Sequence, residues 1–207
     1  MLCHMDAPPK SAAVRAFLER VDVEAQVLQS LLSLGTREVE EWILYMDACR
    51  GKIATTGVGA SGIVARRFAH FLSLVGLPSF YYDVLDAAHG SLASVANNDL
   101  LVAFSKSGQT DELNRVVGAL RVRGVPVMAV SCELGPLSDL ASTQVLLRVP
   151  PEADPEGVLV AGSSLLMSAW CDGMVDGLRR LRDIPWGQAA QNHPSGAIGR
   201  RTLEESH

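Results

Sequence analysis

A turn rich in hydroxyl groups, Ser105-Lys106-Ser107-Gly108-Gln109-Thr110, follows an apolar segment near the middle of the chain. Side-chain hydroxyls and backbone N–H groups donate hydrogen bonds, and a helix that begins after the turn adds the positive end of its dipole. Ordinary N-capping explains one Ser or Thr at a helix start and leaves the other two hydroxyls and the lysine without a role. The turn therefore predicts a cradle for a dianionic phosphate group.

A second glycine-rich turn, Gly57-Val58-Gly59-Ala60-Ser61-Gly62, has the G-x-G-x-x-G spacing that occurs in dinucleotide-binding proteins. Such a site also needs an acidic residue near the end of the next strand to bind a ribose hydroxyl. Asp83 is the nearest candidate, and its position matches poorly. The sequence therefore argues against NAD, and we expect no redox cofactor.

Five short apolar segments are predicted as strands, and two of them lead directly into the two turns. The strands are predicted at residues 52–56, 78–82, 99–105, 125–131 and 143–149. Helical patterns follow at residues 110–123 and 137–142, and a long apolar helix at 163–182, which Pro185 ends. Near-continuous apolar strands that alternate with helices are typical of a parallel sheet covered on both faces. We predict an α/β fold with a flavodoxin-like, doubly wound, five-stranded parallel sheet.

Two helices are predicted ahead of the sheet, because apolar residues recur there at helical spacing. They are Val14, Phe17, Val21, Ala25, Leu28 and Leu32 in the first helix, and Val39, Trp42, Ile43 and Met46 in the second. We therefore expect a flexible lead over residues 1–10, an N-terminal helical hairpin over 11–50 and the main domain over 51–207. The hairpin and the long helix offer surfaces for self-association.

Composition excludes several classes of function. The 207 residues are 48% hydrophobic and 20% charged, which is enough apolar material for a buried core. The net charge of −5, with no basic run, makes nucleic acid and an anionic membrane poor partners. The four cysteines are scattered, with no CxxC pair, and neither a signal peptide nor a membrane span is evident. We expect a reduced, cytoplasmic protein.

Four stretches resemble a known family. The turn SKSGQT resembles the S-x-S-G-x-T phosphate loop of the sugar isomerase (SIS) domain, and the likeness extends over residues 35–203. GVGASG at 57–62, DAAHG at 86–90 and HPSGAIGR at 193–200 are similar to the KdsD/KpsF/GutQ group of arabinose-5-phosphate isomerases. HPSGAIGR is the most distinctive of these, because no generic fold requires it. The chain resembles a form of that group without the C-terminal CBS modules.

The resemblance implies an isomerase that interconverts D-ribulose 5-phosphate and D-arabinose 5-phosphate through an enediol(ate), with no cofactor. Glu112 would remove the proton beside the carbonyl group, and His89 and His193 would shuttle protons between the sugar oxygens. In a first helical turn, a glutamate is also commonly a partner of the helix dipole. The implied contacts to phosphate and sugar are Gly59, Ser61, Ser105, Ser107, Gly108, Gln109, Thr110, Ser163 and Ser164.

The sequence departs from the family pattern in the two turns. Ala60 stands where the family usually has a lysine, and Lys106 where it more often has an asparagine. Ile63 and Gln109 replace a frequent histidine and a common glutamate. Loss of a lysine removes a cation that would stabilise an enediolate. We hypothesise that Lys106 supplies this charge from the opposite turn.

Three further expectations follow. The family builds its sites at subunit contacts. The resemblance therefore implies a homo-oligomer, specifically a tetramer, in which His193 could reach a neighbour's site.

His89, Glu112 and His193 are of the ligand types that zinc prefers, and we expect any zinc there to be adventitious or inhibitory and not required. Ala60 keeps open a non-catalytic phosphosugar sensor, and the scaffold also suits 6-phospho-3-hexuloisomerase or phosphoheptose isomerase activity.

Overall fold

The computed structural model describes residues 10–193 and 195–197, and within them five strands form one sheet. The strands are β1 (Ile53–Gly57), β2 (Ser79–Tyr81), β3 (Leu100–Ser105), β4 (Val127–Ser131) and β5 (Thr143–Leu146). All four pairings are parallel, in the order β2-β1-β3-β4-β5. The predicted flavodoxin-like sheet is therefore confirmed. The expected lead over residues 1–10 lies outside the described residues except for its last position.

Helices cover both faces of this sheet. They are α1 (Lys10–Gln29), α2 (Thr36–Asp47), α3 (Ala60–Leu74), α4 (Val84–Ala88), α5 (Asp111–Val122), α6 (Pro136–Leu140), α7 (Ala161–Leu181) and α8 (Trp186–Gln191). Short 3-10 turns lie at Ser30–Ser33, Ser91–Ser94, Pro151–Ala153 and Pro155–Gly157. Among the described residues, no helix is both long enough and apolar enough to cross a bilayer.

The core consists of two apolar clusters, one on each face of the sheet. Side chains alternate along β3, so that Val102 and Phe104 belong to one cluster and Leu101 and Ala103 to the other. The first cluster holds α2, α3 and α7 against the sheet, and Phe68, Phe104 and Trp170 pack ring to ring within it. The second holds α4, α5 and α6. Both clusters anchor the helices whose ends face the site.

The first predicted helix forms, but the stripe that defined it does not pack on the chain's own core. Val14, Phe17 and Val21 are 60%, 67% and 48% exposed, and Leu32 is 88% exposed. Val27, which lies off that stripe, is the buried residue of α1. α1 instead contacts α7 along another face, and the predicted stripe stays exposed on the chain.

Two short helices, α4 with 5 residues and α8 with 6, were not predicted, because so few residues show no helical periodicity. The Asp83 carboxylate accepts hydrogen bonds from the backbone N–H groups of Leu85 (2.9 Å) and Asp86 (3.3 Å), and so begins α4. Asp83 thus caps a helix, which agrees with its poor fit as a ribose ligand. Pro185 begins α8, while α7 has already ended at Leu181.

Candidate active site

The crevice between β1 and β3 is the point where the strand order reverses, and ligands of doubly wound sheets bind at such a point. Both glycine-rich turns lie there, one after each strand. α3 begins within the first turn, at Ala60, and α5 begins directly after the second, while α7 begins at the same edge. None of the three has a side-chain hydrogen bond at its N-cap position. The positive ends of the three helix dipoles therefore favour an anion at this edge.

Hydrogen bonds within the chain shape the turn after β3. Ser105, which is 3% exposed, accepts the Gly108 N–H through its hydroxyl at 3.1 Å and lies 3.3 Å from the Thr110 hydroxyl. The Ser107 hydroxyl accepts the Gln109 N–H at 3.2 Å. Gly108 has φ +67°, and a Cβ there would meet the Gly135 backbone at 3.3 Å. Only glycine meets both demands without strain.

Thr110 occupies the N-cap position of α5, yet its hydroxyl makes no capping bond. It faces Ser105 instead, at 3.3 Å. N-capping therefore does not account for this residue, and its hydroxyl remains available to a ligand.

A cavity of about 160 Å³ opens between these turns and the start of α7. Lys106 and six hydroxyl-bearing residues line it, namely Ser61, Ser105, Ser107, Thr110, Ser163 and Ser164. Val58, Ala60, Val160 and Met167 complete the wall. Among the described residues, hydroxyl donors dominate this lining and Lys106 is its one cationic side chain, which suits a phosphate ester.

An ion pair closes one side of this cavity. The Lys106 Nζ lies 2.9 Å from Oδ2 of Asp154, whose side chain is 3% exposed. Asp154 Oδ1 accepts the backbone N–H of Ser163, in the first turn of α7, at 3.0 Å. Burial by itself raises the pKa of Asp154, but the hydrogen bonds from Lys106 and Ser163 outweigh it and hold the pKa below its ordinary value.

Sequence reasoning missed Asp154, because it lies in a Pro/Glu-rich loop with no motif of its own. It also influences Cys132: burial, followed by the Asp154 charge, raises the pKa of this thiol to about 12. A thiol with that pKa stays protonated and is a poor nucleophile.

The remaining predicted contacts lie around the cavity and do not line it. Gly108 is buried beneath the turn, and Gln109 is exposed. Gly59 lines a neighbouring cavity of about 250 Å³. Arg66 and Asp83 also line that cavity, and the Arg66 Nη2 lies 3.5 Å from the Asp83 Oδ2.

The predicted proton-transfer residues Glu112, His89 and His193 do not line the cavity of one chain. Glu112 is exposed in the first turn of α5, and His89 is exposed at the C-cap of α4. His193 lies near the C-terminal end of α3, because Asn192 beside it donates a hydrogen bond to the Leu74 carbonyl there. The 15 residues of α3 span about 21 Å. His193 of one chain therefore lies at the opposite edge of the sheet from the cavity.

A single chain does not bring His89, Glu112 and His193 together as a zinc site. Within residues 10–193 and 195–197, no three His, Cys, Asp or Glu side chains lie close enough together to hold a metal ion. Pro194 and Ile198–Arg200, which belong to the HPSGAIGR motif, fall outside the described residues.

The SIS domain model matches residues 48–171 of the chain. The chain belongs to the SIS family. The match begins just before β1 and ends inside α7, so it includes all five strands, both glycine-rich turns and Asp154. The two N-terminal helices and α8 lie outside this SIS match.

Two curated relatives are similar to this SIS protein over nearly its whole length. Arabinose 5-phosphate isomerase KdsD of Escherichia coli O6:H1 (strain CFT073) is 30% identical over 203 residues, which are 98% of this chain and 62% of the relative. Arabinose 5-phosphate isomerase KpsF of Escherichia coli is 31% identical over 192 residues, 92% of this chain and 60% of the relative. The chain thus spans about three fifths of the length of these relatives.

A solved structure of an E. coli CFT073 protein in complex with arabinose 5-phosphate has the same fold as this SIS chain. It is 25% identical, with a TM-score of 0.84, and the match covers 90% of this chain and all of that one.

Proposed function

We propose that this SIS protein is a sugar-phosphate isomerase that interconverts D-ribulose 5-phosphate and D-arabinose 5-phosphate. The observation that carries the proposal is the cavity at the β1/β3 switch point, where six hydroxyl-bearing residues and Lys106 converge on the starts of three helices. The similarity to isomerases named for arabinose 5-phosphate, and to a structure holding that sugar phosphate, supports this choice of sugar.

In the proposed mechanism, the turn after β3 holds the phosphate group. The hydroxyls of Ser105, Ser107 and Thr110, with that of Ser163 from α7, donate to the phosphoryl oxygens. The Ser164 hydroxyl donates to the Ala161 carbonyl at 3.0 Å and would turn toward the phosphate when it binds. Fixing this end of the substrate brings the open-chain carbonyl group to one place at the mouth of the cavity, which is a large part of the rate enhancement available to such an enzyme.

The proton transfers follow from that placement. A carboxylate, proposed as Glu112, removes the proton from the carbon beside the carbonyl group and returns it to the neighbouring carbon. His89 and His193 move protons between the two sugar oxygens. The Lys106 ammonium stabilises the negative charge that develops on the enediolate oxygen. The step needs no external oxidant or reductant, because one carbon of the sugar is oxidised as its neighbour is reduced.

The placement of His193 requires a second copy of the chain in this proposal. An apolar stripe on α1 offers the surface for such a contact, since Val14, Phe17, Leu18 and Val21 are 48–67% exposed at i, i+3, i+4 and i+7 spacing. We propose a homo-oligomer in which His193 of one subunit enters the site of another.

A direct test incubates the purified protein with D-ribulose 5-phosphate in D₂O and follows the anomeric proton signals by NMR. The signals of arabinose 5-phosphate should appear, with deuterium at C2 if the abstracted proton exchanges with solvent. The variant S105A should lose most of this activity, whereas D47N should keep it, because Asp47 pairs with Arg182 (2.6 Å) away from the cavity.

A non-catalytic phosphosugar sensor is the second candidate, and the observation that favours it is Ala60 beside a Lys106 already paired with Asp154. Binding of arabinose 5-phosphate with no turnover of any pentulose, hexulose or heptulose phosphate would select the sensor. Turnover of a hexulose 6-phosphate or of sedoheptulose 7-phosphate in place of ribulose 5-phosphate would contradict the proposed substrate.

A further inference from the structure

The carboxylate of Asp154 connects two walls of the candidate active site. One oxygen, Oδ1, accepts the Ser163 N–H at 3.0 Å, and the other, Oδ2, lies 2.9 Å from the Lys106 ammonium. Among the described residues, no group makes a well-aligned hydrogen bond to Oδ2, so its contact with Lys106 is an ion pair. The carboxylate is 3% exposed, so water contributes little to its solvation, and the lysine is its counter-charge.

The backbone of Lys106 is held independently of Asp154. Its carbonyl oxygen accepts the N–H groups of Cys132 at 2.9 Å and Glu133 at 3.1 Å. Its side chain has four rotatable bonds and remains 25% exposed, so the backbone alone does not determine where the ammonium lies. The contact with Asp154 is what holds the ammonium at the cavity wall.

We infer that Asp154 is a positioning residue, which fixes the Lys106 ammonium in the cavity and ties the turn after β3 to the first turn of α7. An ammonium has three N–H donors, so pairing with a single carboxylate oxygen leaves donors for a phosphosugar. The structural link stands on the geometry alone, while its consequence for turnover rests on the proposed isomerase function.

A purely structural role for Asp154 is distinguishable from this one. If the carboxylate served only to accept the Ser163 N–H at the start of α7, an asparagine would replace it, because an amide oxygen accepts the same bond. An asparagine carries no charge, however, and does not hold the lysine. The variant D154N therefore separates the two roles, and it is the informative change.

The kinetic experiment compares D154N, K106M and the double variant with the wild type, using D-ribulose 5-phosphate. We expect D154N to lower kcat by about 10- to 100-fold, with a smaller change in KM, because the transition-state cation is misplaced. Since Asp154 acts through Lys106, the double variant should match K106M within about twofold. The control D47N removes an aspartate–arginine pair elsewhere and should leave kcat unchanged.

Independent effects of D154N and K106M that multiply in the double variant would overturn the inference. So would a D154N protein with normal kcat. A D154N protein that fails to fold, beside a K106M protein that folds, would assign Asp154 a structural role and would also overturn it.

A second readout does not depend on turnover. The chain has three lysines, Lys10, Lys52 and Lys106, so the side-chain Cε signal of Lys106 can be assigned by its loss in K106M. We expect restricted motion of this signal in the wild type and free motion in D154N. If the wild type neither converts nor binds a phosphosugar, the proposed function fails while this measurement still decides the inference. Equal mobility of Lys106 in both proteins would refute it.

Discussion

Ala60 and Lys106 line the same cavity from opposite turns, Ala60 at the start of α3 and Lys106 in the turn after β3. The resemblance to the family implies a cation on the first of these turns. A cation on the second turn can therefore reach a ligand in the same cavity, which supports the hypothesis that Lys106 replaces the missing lysine.

The exchange of cation between the two turns is directly testable. K106M should lower kcat by about 100-fold, the size of effect seen when one group that stabilises a developing negative charge is removed. Adding A60K to K106M should restore part of that loss, because it returns a cation to the same cavity. Steady-state kinetics with D-ribulose 5-phosphate measures both effects. Normal turnover by K106M would refute the replacement hypothesis.

The depressed pKa of Asp154 predicts a pH-dependent contribution to stability. Because Lys106 and Ser163 hold the folded-state pKa below the unfolded value, the carboxylate stabilises the fold above the unfolded pKa of about 3.9 and loses this effect as pH falls through the folded value. The difference in free energy of unfolding between wild type and D154N should therefore be largest above pH 5 and shrink below pH 4. Urea unfolding between pH 2.5 and 7 measures it. A difference that is constant over this range would contradict the assignment.

Gly108 should resist replacement by any residue with a side chain. Its positive φ and the close approach of Gly135 predict that G108A lowers the free energy of unfolding by about 1–3 kcal/mol and weakens phosphate binding. The matched control is G173A, because Gly173 is exposed within α7 and a Cβ there meets nothing within 4 Å. That variant should be stabilised by about 0.5–1 kcal/mol. Urea denaturation measures both changes, and a neutral G108A would disprove the need for glycine at this position.

The α1 stripe should control both assembly and activity. Replacing Phe17 and Val21 by aspartate places two charges on this exposed apolar surface, so the oligomer should dissociate and activity should fall with it. Sedimentation and kinetics on the same samples provide the measurement. If His193 acts in a neighbouring site, dilution of the wild type should lower specific activity in step with dissociation. Dissociated protein with undiminished specific activity would count against a shared site.

The strands, the phosphate turn and the order of the main elements could be predicted because their signals are local. Apolar runs such as Leu101–Phe104 are buried on both faces whichever helices cover them. The hydroxyls of 105–110 and the glycine among them define the turn by their spacing alone. The predicted ends of the elements were less accurate. β5 was predicted to run to residue 149 but ends at Leu146, because a strand ends where its neighbour stops pairing with it.

Tertiary structure decided which distant groups meet. Asp154 carries no local signal, and only the approach of the 150–157 loop to the β3 turn makes it the partner of Lys106. His193 matched a motif, yet the packing of Asn192 on the C-terminal end of α3 places His193 at the end of the strands opposite the cavity. Periodicity identified α1 as amphipathic but not which stripe is buried, because that depends on the contact with α7. The chain's residues thus determine what chemistry is available, and long-range packing determines which groups can act together.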